Sequence, residues 1–240
     1  MNSPPDGYTL LFVSSANAIV ATLYDRLNFV FLRDIAPVGG VSRESFVMVV
    51  HPAVPATTVP EFITYAKANP GKINMASAGN GSLSHMCGEL FMTMAGVNMV
   101  HVPYRGSFMP DLLAGQVQVV FSPISLALEY IRTGKLRGLA VTVATRQSMV
   151  PDLPSIAEFV PGYEAGGWYG IGAPKNTSTE ITDRLNKEIT AALADSEMKT
   201  QLAGLGAVPM PMTGDEFGKF IVAETEKWAK VVKFAAIKVD

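Results

Sequence analysis

The segment NMASAGNGSLSHMCGELF, residues 74–91, joins an apolar run to a helical pattern through two glycines and several small hydroxyl side chains. The apolar run ends at Ser77, and the helical pattern begins near Leu83. A helix N-terminus leaves its first backbone N–H groups unpaired and carries a partial positive charge. Glycines before it let a ligand approach the backbone closely, so such a junction binds a carboxylate or phosphate without an arginine. The segment therefore predicts either an anion site at residues 77–84 or a serine N-cap with nothing bound.

Two further polar stretches follow apolar runs. FVSSAN, residues 12–17, places Ser14 and Ser15 at the end of one run, and VPYRGS, residues 102–107, places Tyr104 after another. In open α/β sheets, ligands bind beyond the carboxyl ends of the strands. We therefore expect Ser14 and Ser15 to face residues 77–84 across a cleft, with a solvated turn as the alternative, and Tyr104 to reach a ligand with its ring or hydroxyl.

Apolar runs alternate with helical patterns along the chain. The predicted strands are Tyr8–Val13, Phe46–His51, Ile73–Ala76, Val117–Phe121, Leu136–Val143 and Trp168–Gly172. Continuous apolar runs are typical of buried parallel strands. Their alternation with helices predicts an α/β fold.

Helix starts are marked by capping signals. Three candidate capping boxes are Thr58–Glu61, Thr177–Glu180 and Thr213–Glu216. A further helix is predicted over Leu83–Ala95, with Gly96 as its C-terminal stop. Its predicted apolar stripe is Met86, Leu90 and Met94.

Composition excludes several functional classes. The 240 residues carry a net charge of −2, which gives no basic surface for nucleic acid. A single cysteine, Cys87, excludes an internal disulfide framework. No apolar run approaches the length of a membrane span, and the first residues lack the pattern of a signal peptide.

Catalytic and metal-binding patterns are sparse. Ser82 and His85 lie three residues apart and would share a helix face, but no acidic residue lies between them or directly beside them in sequence, and no G-x-S-x-G motif is present. His51 and His101 are interpreted as structural. One cysteine and scattered histidines give no metal-ligand spacing, so we expect no metal and no cofactor.

An ordered set of motifs resembles a known family. The motifs are PDGYTLL at 5–11, YAKANPGKINMASAGNGSLSHMCGELF at 65–91, VPYRG at 102–106, GKLRGLAVT at 134–142, PDLPSIAEFVPGYE at 151–164 and WYGIGAP at 168–174. Together they resemble the Bug family, the extracytoplasmic solute receptors of tripartite tricarboxylate transporters. The resemblance spans essentially the whole chain.

The resemblance implies a two-lobed periplasmic-binding-protein type II fold of the Venus-flytrap kind. Residues 1–43 and 172–240 would form lobe one, and residues 44–171 would form lobe two. The family pattern has a first strand and a first ligand loop before PDGYTLL, so the resemblance also implies that both are missing from lobe one of this chain. Lobe one would then have an exposed sheet edge.

The family binds small carboxylates through backbone amides and hydroxyls. Carried onto this sequence, the predicted ligand-binding residues are Ser14, Ser15, Ser77, Gly79, Asn80, Gly81, Ser82, Ser84, Tyr104, Ser122 and Trp168. Many members have acidic residues where this chain has Gln118 and Ser122, and Ser122 favours a simple carboxylate over an amino acid. Trp168 lies near a predicted hinge, where packing is its alternative role.

The predicted function is that of a non-enzymatic, monomeric receptor that delivers a small carboxylate to a membrane permease of a tripartite tricarboxylate transporter. The resemblance implies a periplasmic location, while the absence of a signal-peptide pattern leaves export open. One alternative is an α/β hydrolase that uses Ser82 and His85. Others are a ligand-sensing partner of a signalling system and a fragment that binds nothing.

Overall fold

The chain forms two compact units. A computed structural model describes residues 3–24, 28–235 and 237. The first unit comprises the described residues of Met1–Glu44, Gly167–Lys233 and Ile237–Asp240, and the second comprises those of Ser45–Gly166 and Phe234–Ala236.

The elements of the described chain alternate as the sequence predicts. The strands are β1 Leu11–Ser14, β2 Ile35–Glu44, β3 Phe46–Val50, β4 Asn74–Ser77, β5 Val100–Pro103, β6 Val119–Pro123, β7 Arg137–Val141, β8 Gly167–Pro174 and β9 Ala207–Met212. The helices are α1 Ser15–Leu23, α2 Phe31–Asp34, α3 Val59–Ala68, α4 Leu83–Ala95, α5 Met109–Leu113, α6 Ile124–Arg132, α7 Thr179–Ala194, α8 Ser196–Gly204 and α9 Gly214–Phe234. Among these residues, no helix combines the length and apolar character needed to cross a membrane.

The sheet of the first unit has four strands in the order β1-β8-β2-β9. All three pairings are antiparallel, so the prediction of parallel strands is wrong for this unit. Strand β8 pairs with β2 from Gly167 to Pro174, and this pairing places its first residues, predicted in lobe two, in the first unit. Strand β1 begins at Leu11 rather than Tyr8, whose side chain is 94% exposed.

The sheet of the second unit has five strands in the order β5-β4-β6-β3-β7. Strand β4 is parallel to both of its neighbours, as predicted, whereas β3 is antiparallel to β6 and β7. Strand β3 is buried along its whole length, which explains its continuous apolar run. The carboxyl end of β4 leads directly into the segment that the sequence singled out.

The predicted helix starts are confirmed, with changes in detail. Thr213 and Glu216 form a reciprocal capping box, each side chain accepting the other's backbone N–H. At α3, the Glu61 carboxylate accepts from Thr57 instead of from Thr58. At α7, the cap is Ser178, one residue later than predicted.

Helix α4 has the predicted bounds and ends at Gly96, whose φ of 62° is left-handed. Its predicted stripe is wrong, because Met94 is 37% exposed. The buried face instead runs through Met86, Gly88 and Phe91, together with the polar residues of the first turn. A Cβ atom on Gly88 would overlap the sulfur of Met75 on β4, so the glycine allows helix and strand to approach closely.

Candidate functional site

The candidate site is the glycine segment, Ser77–Ser84, which joins the end of β4 to the start of α4. Gly79 has a φ of 116° and Gly81 a φ of 72°, backbone conformations that side-chain-bearing residues rarely adopt. The two glycines therefore set the path of the backbone here. Asn80, between them, is exposed to solvent.

Several amides of the glycine segment are held by local acceptors. The Ala78 N–H donates to Ser84 Oγ at 2.9 Å, and the Gly79 N–H donates to Ser77 Oγ at 3.1 Å. The Gly81 N–H donates to the imidazole Nδ1 of His85 at 3.1 Å. These bonds fix the segment in one conformation.

Three other amides of the segment have no hydrogen-bond partner within the described part of the chain: those of Asn80, Leu83 and Ser84. Two of them belong to the first turn of α4, which leaves its N–H groups unpaired and carries the positive end of the helix dipole. That turn contains no acidic residue. The segment thus offers partly positive N–H groups that suit an anion.

Ser82 is the N-cap of α4. Its hydroxyl donates to the Gly79 carbonyl at 2.7 Å and accepts the backbone N–H of His85 at 3.3 Å. It also lies 3.1 Å from Ser84 Oγ. The His85 ring instead bonds Gly81 and Glu89, so the Ser82–His85 dyad of a hydrolase is not formed.

Two histidines contact the glycine segment, His85 at Gly81 and His101 at Ser77. The rings of His85 and His101 stack at 3.6 Å between centroids, and His85 Nε2 lies 3.1 Å from the Glu89 carboxylate. His101 Nε2 lies 2.5 Å from Ser77 Oγ. Burial, and then the neighbouring His85, lower the pKa of His101 to about 4. His101 is therefore neutral at neutral pH.

Tyr104 lies beside the glycine segment, because its N–H donates to the Ser77 carbonyl at 3.0 Å. Its hydroxyl donates to the Asp111 carboxylate at 2.7 Å. That hydrogen bond, followed by burial and the Asp111 charge, raises the pKa of Tyr104 to about 12. The Tyr104 hydroxyl is thus already paired within the second unit.

The other predicted site residues have varied surroundings. Ser77 and Ser122 are fully buried, and Ser84 is 5% exposed. Trp168 is 2% exposed, and its indole N–H donates to Glu224. This placement favours the packing role for Trp168 that was its alternative.

Ser14 and Ser15 belong to the first unit, at the junction of β1 and α1. Ser14 caps α1, and its N–H donates to Asn17 Oδ1 at 2.8 Å. Ser15 is 5% exposed. A strand thus ends in small polar residues, as the sequence predicted, and helix α1, which was not predicted, begins there.

Sequence reasoning missed the groups that support the glycine segment. The sequence indicated a structural role for His101 but not its contacts with His85 and Ser77, and it did not indicate the role of Glu89. The spacing of His85 and Glu89, four residues apart on a helix, was a usable signal for that pair. In the described part of the chain, no three His, Cys, Asp or Glu side chains are grouped to bind a metal.

Sequence comparison relates the chain to transport receptors. Residues 1–237 match the family described as Tripartite tricarboxylate transporter family receptor (TctC). The protein BugT from Bordetella pertussis is 34% identical over 241 residues, which cover 98% of this chain and 74% of BugT.

Structural comparison gives the same relationship. The structure of R. palustris Rpa4515 with adipate is 33% identical in sequence to this chain and has a TM-score of 0.84. The match covers 99% of this chain and 81% of the Rpa4515 chain. The periplasmic binding protein BugD is 30% identical with a TM-score of 0.81, over 99% of this chain and 81% of its own. MatC from Rhodopseudomonas palustris with bound malate is 28% identical with a TM-score of 0.79, over 96% of this chain and 81% of the MatC chain. The α/β fold with two sheets is therefore that of periplasmic binding proteins of this type.

Proposed function

Because the chain belongs to the tripartite tricarboxylate transporter receptor family, we propose that it captures a small carboxylate and delivers it to the membrane permease of such a transporter. The observation that carries this proposal is the set of amides at Asn80, Leu83 and Ser84, around the start of α4, that have no partner among the described residues. Two relatives were solved with the carboxylates adipate and malate. Their identity to this chain supports the same ligand class.

The ligand carboxylate would be bound by the amides of Asn80, Leu83 and Ser84, with the Ser82 hydroxyl at their edge. Hydrogen bonds from amides to a charged oxygen are about twice as strong as those between neutral groups. They also bind without the desolvation of a side-chain cation. We propose that Gly79 and Gly81 keep the backbone open to the ligand, and that Ser77 supports them from beneath.

The remaining predicted contacts, from Ser14, Ser15, Tyr104, Ser122 and Trp168, stay predictions. For Tyr104, a contact through the ring or the backbone fits its surroundings better than one through the hydroxyl, which is bonded to Asp111. For Trp168, the bond to Glu224 supports packing.

We further propose that the protein acts without catalysis, as a monomer, in the periplasm. Family membership supports the receptor role, and the likeness to the periplasmic protein BugD supports the location. The hydrolase alternative is not favoured, since the Ser82 hydroxyl contacts the backbone N–H of His85 rather than its ring. A sensing role remains a second outcome, which capture of membrane partners would distinguish from transport.

Calorimetric titration with adipate, malate and a panel of mono-, di- and tricarboxylates tests the ligand class. We expect at least one carboxylate to bind, and the uncharged diamide of the same acid not to bind, because the amides complement negative charge. A folded sample that binds no carboxylate, or that binds acid and diamide equally, would contradict the proposal.

Substitution of Ser82 tests the proposed site with a matched control. Ser82 and Ser178 are both N-cap serines whose side chains accept a backbone N–H. Replacing either by leucine should cost about 1 kcal/mol of helix stability. Only Ser82→Leu should also weaken carboxylate binding, by roughly tenfold or more, because its bulk covers the amides and the bond that holds the Gly79 carbonyl is lost. Equal affinities of the two variants in calorimetry would remove Ser82 from the site.

A further inference from the structure

The imidazole of His85 connects the glycine segment to the body of α4. Its Nδ1 accepts the Gly81 N–H, and its Nε2 faces Glu89 Oε1, both at 3.1 Å. We infer that His85 is a positioning residue, which fixes the Gly81 amide and thereby orients the neighbouring amides toward the ligand carboxylate. The inference rests on the proposed function, and it assigns the side chain that gives the anion site its shape.

The two contacts of His85 determine which ring nitrogen carries the proton. A backbone N–H can only donate, so Nδ1 must be unprotonated to accept from Gly81. An ionised carboxylate can only accept, so Nε2 must carry the proton that it donates to Glu89. Glu89 therefore selects the tautomer of His85 that can hold Gly81.

His101 fixes the plane of the His85 ring. The two rings are nearly parallel, with an angle of 8° between them. His85 is 3% exposed, whereas His101 is only partly buried. His101 in turn contacts Ser77 Oγ, which accepts the Gly79 N–H. Within the glycine segment, Gly81 is thus tied to His85 directly, and Gly79 is tied to His101 through Ser77.

The position of Gly81 explains why its amide matters to the ligand. Gly81 lies in sequence between Asn80 and Leu83, whose amides have no partner in the part of the chain that the structure describes. Its φ of 72° is a conformation that glycine readily leaves, and the bond from its N–H to Nδ1 of His85 opposes that change. Without an acceptor at Nδ1, we expect the segment to gain alternative conformations in which the amides of Asn80 and Leu83 change direction.

Two amide substitutions separate this role from packing. In His85→Asn, the side-chain oxygen can occupy the place of Nδ1 and accept from Gly81. In His85→Gln, the amide reaches the place of Nε2 and Glu89 but leaves Gly81 without an acceptor. Both variants lose the stacked ring, so the loss of packing is common to them. With adipate and malate as probes, we expect His85→Asn to bind within about threefold of the wild type and His85→Gln to bind about tenfold or more weakly, the change that follows from one lost hydrogen bond at a charged ligand.

Hydrogen exchange of the Gly81 amide gives an independent readout. We expect it to be protected in the wild type and in His85→Asn, and unprotected in His85→Gln at equal unfolding midpoints. Equal affinities of the two variants, equal Gly81 protection, or a proton on Nδ1 in ¹⁵N spectra of the wild type would overturn the inference. If the wild type binds no carboxylate, the proposed function and the ligand role of His85 fall together. The exchange data then still decide whether His85 holds Gly81.

Discussion

Gly81→Val is expected to lower carboxylate affinity by about a hundredfold or more while the protein remains folded. Gly81 has a φ of 72°, a conformation in which a β-branched residue is strongly disfavoured. Valine should therefore move the backbone, break the bond from the Gly81 N–H to His85, and disperse the free amides of Asn80 and Leu83. Losing two hydrogen bonds to a charged group costs about 3 kcal/mol or more.

Gly71→Val is the matched control for this prediction. Gly71 has nearly the same φ, 69°, and lies in the same unit. Apart from its chain neighbours, no described residue has an atom within 4 Å of where its Cβ would lie. Both variants should lose about 1–2 kcal/mol of stability from the left-handed conformation. Calorimetry with adipate or malate should then show near wild-type binding for Gly71→Val alone. If both variants bind equally well, the glycine segment is not the ligand site.

The alternation of strands and helices was predictable because each element leaves a local pattern. Apolar runs and capping residues located α3, α4, α7 and α9 and most of the strands. The direction of the strands was not predictable in this way. A buried antiparallel strand such as β3 has the same continuous apolar run as a buried parallel one, since burial on both faces, and not direction, produces the pattern.

Strand β2 was missed because its sequence contains the signals of a loop. It includes Gly39 and Gly40, which usually weaken strands. In the structure, a Cβ on Gly39 would lie 2.5 Å from Asn186 Nδ2, and one on Gly40 would lie 2.5 Å from the Met210 carbonyl. The glycines therefore permit close approach of distant parts of the first unit. A local pattern does not contain that information, because the neighbours lie far away in sequence.

Strand β9 was missed for a related reason. It contains Pro209 and Pro211, and proline inside a sequence argues against a central strand. Strand β9 lies at the edge of its sheet, where a residue without an N–H is tolerated and also blocks pairing with another chain. Whether a strand is at an edge depends on the order of strands in the sheet, which the sequence alone does not show.

The candidate site likewise has a part that the sequence predicts and a part that it does not. Its amides and its cap belong to consecutive residues, so the strand–glycine–helix pattern located them. Its supports come from elsewhere: His101 lies on β5, and the pairing of Met75 with His101 brings β5 beside β4. The stack of His101 on His85 depends on that register. Sequence therefore identifies the groups offered to a ligand more readily than the groups that hold them in place.

The packing of α4 determines whether the glycine segment has a stable base. Phe91 is fully buried on α4, and its ring contacts three other aromatic rings. The distances between centroids are 6.1 Å to Phe62, 5.7 Å to Phe121 and 6.2 Å to Tyr163. These contacts join α4 to α3, to β6 and to Tyr163 in the segment before β8.

Phe91→Ala is expected to destabilise the second unit by about 3–5 kcal/mol, because it removes a buried ring and leaves a cavity among three others. Circular dichroism during urea unfolding should detect this loss. Tryptophan fluorescence follows the first unit separately, since both tryptophans, Trp168 and Trp228, belong to it. Adipate or malate binding should persist only below the new unfolding midpoint.

Phe159→Ala is the control for Phe91→Ala, since Phe159 is the same residue type in the same unit but is 39% exposed. Its loss should cost about 1 kcal/mol or less, because less apolar surface returns to water and no closed cavity forms. Phe91→Leu should fall between the two, as it retains part of the volume. Equal unfolding midpoints for Phe91→Ala and Phe159→Ala would show that α4 does not depend on the aromatic cluster. The glycine segment would then have to be held by the histidine contacts and by β4 alone.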